Sequence, residues 1–158
     1  MDNMNFRFAK EDDIKKILFF IKELAEYEKM TNDVIATEEL LNEWIFEKKI
    51  AEVIFVLEDN KEVGFALFFH NFSTFLGKAG LYLEDLYVLP KYRGKGYGKA
   101  LIKKLATIAI ERKCGRMEWT CLNWNKPSID FYRSLGAKPL DDWMIYRITL
   151  EDLNKLVK

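Results

Sequence analysis

Leu83-Glu84-Asp85-Leu86-Tyr87-Val88-Leu89-Pro90-Lys91-Tyr92-Arg93-Gly94-Lys95-Gly96-Tyr97-Gly98-Lys99 runs from strand-forming residues, through a glycine-rich turn, into a helical pattern. A strand is predicted over Gly80 to Val88 and stops by Pro90, which has no N–H to give a ladder. Glycines at 94, 96 and 98 let the backbone turn tightly and bring bare N–H groups up to a ligand. Leu101, Ile102, Leu105 and Ala109 supply the apolar face of a helix over Ala100 to Ile110. The start of such a helix carries orphan N–H donors and the positive end of the dipole, so an anion is favoured there. Two other glycine signatures are excluded. The spacing is not the dinucleotide G-x-G-x-x-G, and a P-loop needs Gly at 93 and Ser or Thr at 100, where Arg93 and Ala100 stand.

The charge pattern suits that loop. Residues 91–116 carry 9 basic side chains against Glu111 alone, whereas residues 1–47 carry 12 acidic against 6 basic. The formal net charge of the whole chain is zero. A cationic segment around a glycine loop fits a polyphosphate ligand, and an acidic N-terminal third fits a cationic one.

Upstream, Phe6-Arg7-Phe8 alternates like a short strand. Glu11-Asp12-Asp13 opens a helix whose inner face is Ile14, Ile17, Leu18, Ile21, Leu24 and Ala25. Thr37 is the predicted N-cap of a second helix reaching about Glu47. Ala51 to Leu57 and Glu62 to Phe69 flank the polar turn Glu58-Asp59-Asn60-Lys61, a hairpin. Downstream, Met117 to Leu122 reads as a strand, and Lys126-Pro127-Ser128 as a helix start closed by Gly136. Met144 to Leu150 reads as a last strand before a short tail helix. The expected order is β-α-α-β-β-β-α-β-α-β, an α/β chain with a mixed, mostly antiparallel central sheet flanked by helices and a β-α-β crossover near its middle.

Composition limits the chemistry. The chain of 158 residues has the size of a single domain, 1–158, with 49% hydrophobic residues and enough mass for a core. No stretch approaches the ~20 apolar residues of a membrane span. Residues 1–5 lack the basic and apolar regions of a signal peptide, and Cys114 and Cys121 have no C-x-x-C spacing, so a reducing cytoplasmic setting is expected. The single histidine, His70, rules out His-rich zinc sites and His relays, and reads as a surface residue at a strand end. Acid–base work therefore falls to carboxylates or tyrosines.

The loop Arg93-x-x-Gly96-x-Gly98 resembles the pyrophosphate loop of GNAT acetyltransferases. More narrowly, Ile21-Lys22-Glu23-Leu24-Ala25-x-Tyr27-Glu28-x-Met30, Tyr82-Leu83-Glu84-Asp85 and Trp124-Asn125-x-Pro127-Ser128-Ile129-x-Phe131-Tyr132 resemble the spermidine/spermine (diamine) acetyltransferase family, from about Phe6 to Leu156. That resemblance implies the GNAT fold, acetyl-CoA as donor and a small cationic amine as acceptor. It places the pantetheine arm on backbone groups of Leu86, Tyr87 and Val88 as an added strand. The diphosphate falls to Arg93, Gly94, Lys95, Gly96, Tyr97, Gly98 and Lys99. Asn125, Lys126, Pro127 and Ser128 complete the cofactor side, with Tyr132 beside the sulfur.

An alkylamine with a pKa near ~10.4 is protonated at neutral pH, so a carboxylate must bind it and help remove its proton. Glu84 is the implied base, directly or through water, and Tyr27 and Glu28 the implied amine-binding pair. Tyr132 is the implied acid that protonates the leaving thiolate, and a backbone N–H near Val88 polarises the carbonyl. No metal, nucleic acid or membrane is implied; a homodimer is. Glu118-Trp119-Thr120 and Asn123 depart from the family pattern on the acceptor side. The acceptor therefore stays open between a diamine or polyamine and a lysine-like amino acid of the thialysine type. A module that holds CoA without turnover is a third reading, which Glu84 and Tyr132 argue against.

Overall fold

A computed structural model describes residues 3–158. The reading of residues 1–5 as lacking a leader falls partly on 1 and 2, which lie outside the described residues. The chain resolves into two compact units, one reaching Thr120 and the other Cys121–Lys158.

The first unit is a five-stranded sheet in the order β1-β2-β3-β4-β5. β1 (Met4–Phe8), β2 (Glu52–Glu58), β3 (Lys61–Ser73) and β4 (Lys78–Val88) pair antiparallel. β5 (Met117–Trp119) joins β4 in parallel after α3 (Tyr97–Glu111). The mixed, mostly antiparallel sheet and its crossover are as the sequence predicts, although β5 stops three residues short of Leu122 and β3 runs on past Phe69. His70 therefore lies within β3, exposed, with Nε2 3.5 Å from Arg112 Nη1.

Local chemistry explains the turns. Asp59 and Asn60 take φ of 49° and 63°, the left-handed pair that a two-residue hairpin needs. Thr37 caps α2 (Glu38–Leu41), its hydroxyl accepting from the Leu40 N–H at 3.2 Å, and the helix continues as π-helical turns over Asn42–Glu47.

Helices cover both faces of the sheet. On one, α1 (Ile14–Tyr27) sets Ile17 and Phe20 against Phe55, Phe65 and Tyr87. The Phe20 and Phe65 rings stack at 5.2 Å. On the other, α3 buries Leu101 and Leu105 completely, and Arg112 at its C-cap lies over the Phe68 ring at 5.7 Å. An ion-pair knot ties the sheet edge to α1: Arg7 holds Asp13 through two nitrogens at 2.7 and 2.8 Å and Glu62 at 2.5 Å, and Lys16 holds Glu62 at 2.9 Å.

The second unit holds α4 (Lys126–Ser134) and α5 (Leu150–Leu156). Gly136, at φ 89°, closes α4 as predicted: its N–H reaches the Arg133 carbonyl at 3.0 Å and the Ala137 N–H reaches Tyr132 at 3.2 Å. The predicted strand Met144 to Leu150 is not formed. Residues 144–149 have no regular structure, and Leu150 is already helical. Among the described residues of this unit there is no strand to pair with, and strand propensity without a partner makes no strand. Thr149 caps α5 instead, with Glu151 and Asp152 in the first turn. Among the described residues no helix is long and apolar enough to cross a membrane.

Candidate acyl-transfer site

The register of β4 contains one irregularity. Leu67 faces Asp85 across the strands and Phe68 faces Leu83, so Glu84 has no partner and forms a bulge. Its effect is to invert the faces. Leu83 is buried on the α3 side with Phe68, whereas Asp85 and Tyr87 stand on the α1 side with Leu67 and Phe65. An uninterrupted two-residue period would have turned Asp85 into the apolar α3 core.

Asp85 stands near the C-terminal end of α1. Its carboxyl is pushed up to about 7, first by burial and then by the negative charges of Glu84 and Glu28. Burial also raises Glu28, which caps α1. Glu84 itself is exposed. Three acidic groups thus share one locality, and one of them exchanges its proton near neutrality. Sequence reasoning put the base on Glu84 and gave Asp85 no role. The available signal was the adjacent Glu84-Asp85 pair on one strand, and the bulge sets Asp85, half-buried, on the α1 face while Glu84 is exposed.

The edge of β4 beyond the bulge is open. Among the described residues β5 pairs with β4 only from Leu81 to Leu83. On the other side the Leu89 N–H donates to the Val63 carbonyl at 2.9 Å, which fixes the alternation of the antiparallel ladder. By that alternation Tyr87 directs its backbone groups to Phe65, while those of Leu86 and Val88 face the open edge. The sequence expectation that Tyr87 offers backbone groups there is corrected: its ring packs into the core instead. The Val88 carbonyl is also engaged, by Arg93 Nε at 3.0 Å. Arg93 therefore folds back rather than outward, its guanidinium 4.9 Å from the Tyr27 ring and 5.0 Å from the Tyr87 ring. Leu86 N–H and C=O and Val88 N–H remain for an added strand.

The glycine loop then turns through Gly94 at φ 76° and Gly96 at φ 88°, and α3 starts at Tyr97 with Gly96 as its left-handed cap. No side chain caps this end, so the first N–H groups of Tyr97, Gly98 and Lys99 stay available. Tyr97 is buried and anchors the helix start by donating its hydroxyl to Glu58 at 2.5 Å, a bond that raises the phenol to about 12. Lys95 lies 3.7 Å from the same carboxylate. The cradle is cationic, glycine-bent and free of a competing cap, which fits a diphosphate.

On β5, Glu118 pairs with Arg116 at 3.0 Å and accepts from Asn71 Nδ2 at 3.2 Å; Trp119 is half-buried and Thr120 exposed. In the second unit, the Asn125 side chain accepts from the Ser128 N–H at 3.4 Å and caps α4, and Pro127 occupies the first turn. Lys126 pairs with Asp130 at 2.7 Å, and the Phe131 and Tyr132 rings lie 5.4 Å apart. The first unit thus brings Tyr27, Glu28, Glu84, Asp85 and Arg93 together, and α4 carries Asn125, Lys126, Pro127, Ser128 and Tyr132 in one short segment.

Residues 16–137 match the family described as Acetyltransferase (GNAT) family. The chain is 37% identical to a thialysine N-epsilon-acetyltransferase of Bos taurus, over 95% of each chain. It is 35% identical to the human spermidine/spermine N(1)-acetyltransferase-like protein 1, over 97% of this chain and 24% of that protein. A solved integron cassette protein of V. cholerae superposes with a TM-score of 0.82 at 33% identity, covering 99% of this chain and 98% of its own.

Proposed function

The chain belongs to the GNAT acetyltransferase family and is an acetyl-CoA-dependent amine N-acetyltransferase, and on that premise we propose that its acceptor is the side-chain amine of a small lysine-like amino acid. The sequence alone leaned toward diamines and polyamines. Relatives named for thialysine match along nearly their whole length, and they support the amino-acid alternative better. The observation that carries the chemistry is Asp85, a carboxyl held at about 7 beside Glu84 and Glu28 on the open stretch of β4.

Acetyl-CoA supplies the acyl group as a thioester. The chain's own residues do the rest. The N–H groups at the start of α3, the glycine turn and Lys95 hold the diphosphate, and Leu86 and Val88 offer backbone groups to the pantetheine arm. Glu28 and Glu84 attract the ammonium and Tyr27 flanks it. Asp85 accepts the proton that the amine must lose, a task for which a carboxyl near 7 is far better matched than one near 4. Tyr132 supplies the proton that the departing sulfur needs, and Asn125, Lys126, Pro127 and Ser128 position the helix that bears it. Residues 1–158 act as one acetyltransferase domain in this reading, which extends to a homodimer in the cytoplasm; sedimentation at micromolar concentration tests the dimer.

Acetyl-CoA with thialysine, lysine, ornithine, cadaverine and spermidine is the decisive panel, read by thiol release and by the mass of the product. The expected result is a higher kcat/KM for the amino acids, with the acetyl group on the side-chain nitrogen. Preference for spermidine by an order of magnitude returns the assignment to polyamines, which the acidic cluster alone would also attract.

A further inference from the structure

We propose that Glu118, Arg116 and Asn71 form a subsite that reads the α-ammonium and α-carboxylate of the acceptor, a proposal that rests on the amino-acid reading above.

The sheet register places this trio at a fitting distance from Asp85. Leu67 faces Asp85, Phe69 faces Tyr82 and Asn71 faces Gly80, so these pairs succeed one another on one face of the sheet. Glu118 is the parallel-strand partner of Tyr82 and shares that face. One two-residue step is about 7 Å and one strand spacing about 4.8 Å, which separates the Asp85 and Glu118 backbones by roughly 8 Å. A lysine-like chain has six bonds between its two nitrogens and spans roughly 7 Å when extended. Between the two ends lie the Phe69 and Tyr82 rings, 5.0 Å apart and both half-buried, an apolar floor for the methylenes.

The far end has the chemistry of a zwitterion receptor. Arg116 Nε lies 3.0 Å from Glu118 Oε1, and both side chains are partly open to solvent, at 41% and 30% exposure. An ion pair at that exposure is weakly held, so it opens readily to a substrate that offers each partner its opposite charge. Asn71 supplies a second, independent sign. Its Nδ2 donates to Glu118, yet its Oδ1 is buried without a hydrogen-bond partner. An unpaired buried acceptor is unfavourable, so the amide gains by turning its Oδ1 from Gly80 toward an ammonium docked on Glu118. Gly80 makes room for this amide, since a Cβ there would lie 2.4 Å from Asn71 Oδ1.

The test compares lysine, cadaverine and pentylamine, which carry both head-group charges, the ammonium alone and neither. Glu118→Gln should lower the kcat/KM ratio of lysine to pentylamine, and of cadaverine to pentylamine, about tenfold each. Arg116→Gln should lower the ratio of lysine to cadaverine about tenfold, and Arg116→Lys should restore much of it. The loss should sit in KM for the amine. Unchanged ratios in both variants, with wild type still preferring lysine, overturn the subsite and leave the amino-acid reading standing. A wild type that uses pentylamine as well as lysine overturns both.

Discussion

Replacing Asp85 with asparagine should damage activity and raise stability at once, and both effects have a worked size. The carboxyl moves from an ordinary 3.8 to about 7, roughly three units, and each unit is worth ~1.36 kcal/mol between the two protonation states. The charged form in the folded chain is therefore disfavoured by about 4 kcal/mol at most, and by less after solvent screening of a half-buried group. A raised folded-state pKa means that the native state binds the proton more tightly between about 4 and 7. Folding is thus penalised progressively as pH rises through that window, and the penalty is complete above it. Asparagine carries no such penalty. At pH 8 the variant should melt several degrees above wild type, at ~2–4 °C per kcal/mol for a chain of this size, and the gap should close near pH 4.

Catalysis runs the other way. About one tenth of Asp85 is ionised at pH 6 and about nine tenths at pH 8, so kcat/KM should rise about tenfold from pH 6 to pH 8. Above pH 8 the profile should level, because the base is ionised and an amine of pKa ~10.4 is still the protonated species it accepts. Asp85→Asn should lose a factor of ~10²–10⁴ together with the acid limb. The assay is thiol release across pH 5 to 9.5 in constant ionic strength, paired with thermal melts in the same buffers. A slope of one that continues to pH 9.5 without levelling refutes the reasoning, since the enzyme would then await free amine from solvent. So would a melting gap between variant and wild type that does not change with pH.

Arg93→Lys keeps the charge but loses the Nε bond to the Val88 carbonyl and the planar contact between Tyr27 and Tyr87; KM for both substrates should rise, with ~1–2 kcal/mol of stability lost in urea titration. Gly64→Ala should cost about 1–3 kcal/mol, because the new Cβ would sit 2.9 Å from the Tyr87 carbonyl oxygen and 3.0 Å from Val56, a backbone contact that cannot swing away; melting temperature reads it. Asp13 is held down to about 2, chiefly by its hydrogen bonds to Arg7, so its stabilisation is complete above about 4 and lost as pH falls through 2. Asp13→Asn should therefore lose about 2 kcal/mol at pH 7, with the difference from wild type vanishing near pH 2 in denaturant titrations.

The glycine loop, the Asp59-Asn60 turn, the Thr37 cap and the Gly136 closure were legible because each depends on a few neighbouring residues and a backbone angle they favour. Met144 to Leu150 misled because strand propensity describes a fit to a neighbouring strand, and the unit containing this segment has none. The different environments of Glu84 and Asp85 were hidden for a related reason. Adjacent acids on a strand look alike in sequence; burial and the charges of Glu84 and Glu28 separate them, and Glu28 is 57 residues away from Asp85 along the chain. Arg93 was read as a phosphate ligand by its place in the motif, while its contacts with Tyr27 and Tyr87 depend on α1 reaching the same corner.

One inserted residue accounts for much of the site's arrangement. A strand in regular register alternates its side chains, so an acid on the α1 face two residues before Tyr87 and a buried leucine on the α3 face at 83 are incompatible with unbroken pairing. The bulge at Glu84 reconciles them and has two further consequences. It turns Asp85 toward the end of α1, where burial and neighbouring charge raise its proton affinity. It also falls where β4 stops pairing with β5, so the edge that could receive a pantetheine arm begins next to the proposed base. In the proposed mechanism donor and acceptor are thereby brought to one point on one strand. Deleting Glu84 would make the pairing regular, with Leu83 still facing Phe68 and Asp85 still facing Leu67, but it would remove the local bend that coincides with the end of the β5 pairing beside Asp85. The loss of activity should then far exceed that of Glu84→Gln, which keeps the bulge and removes only a charge.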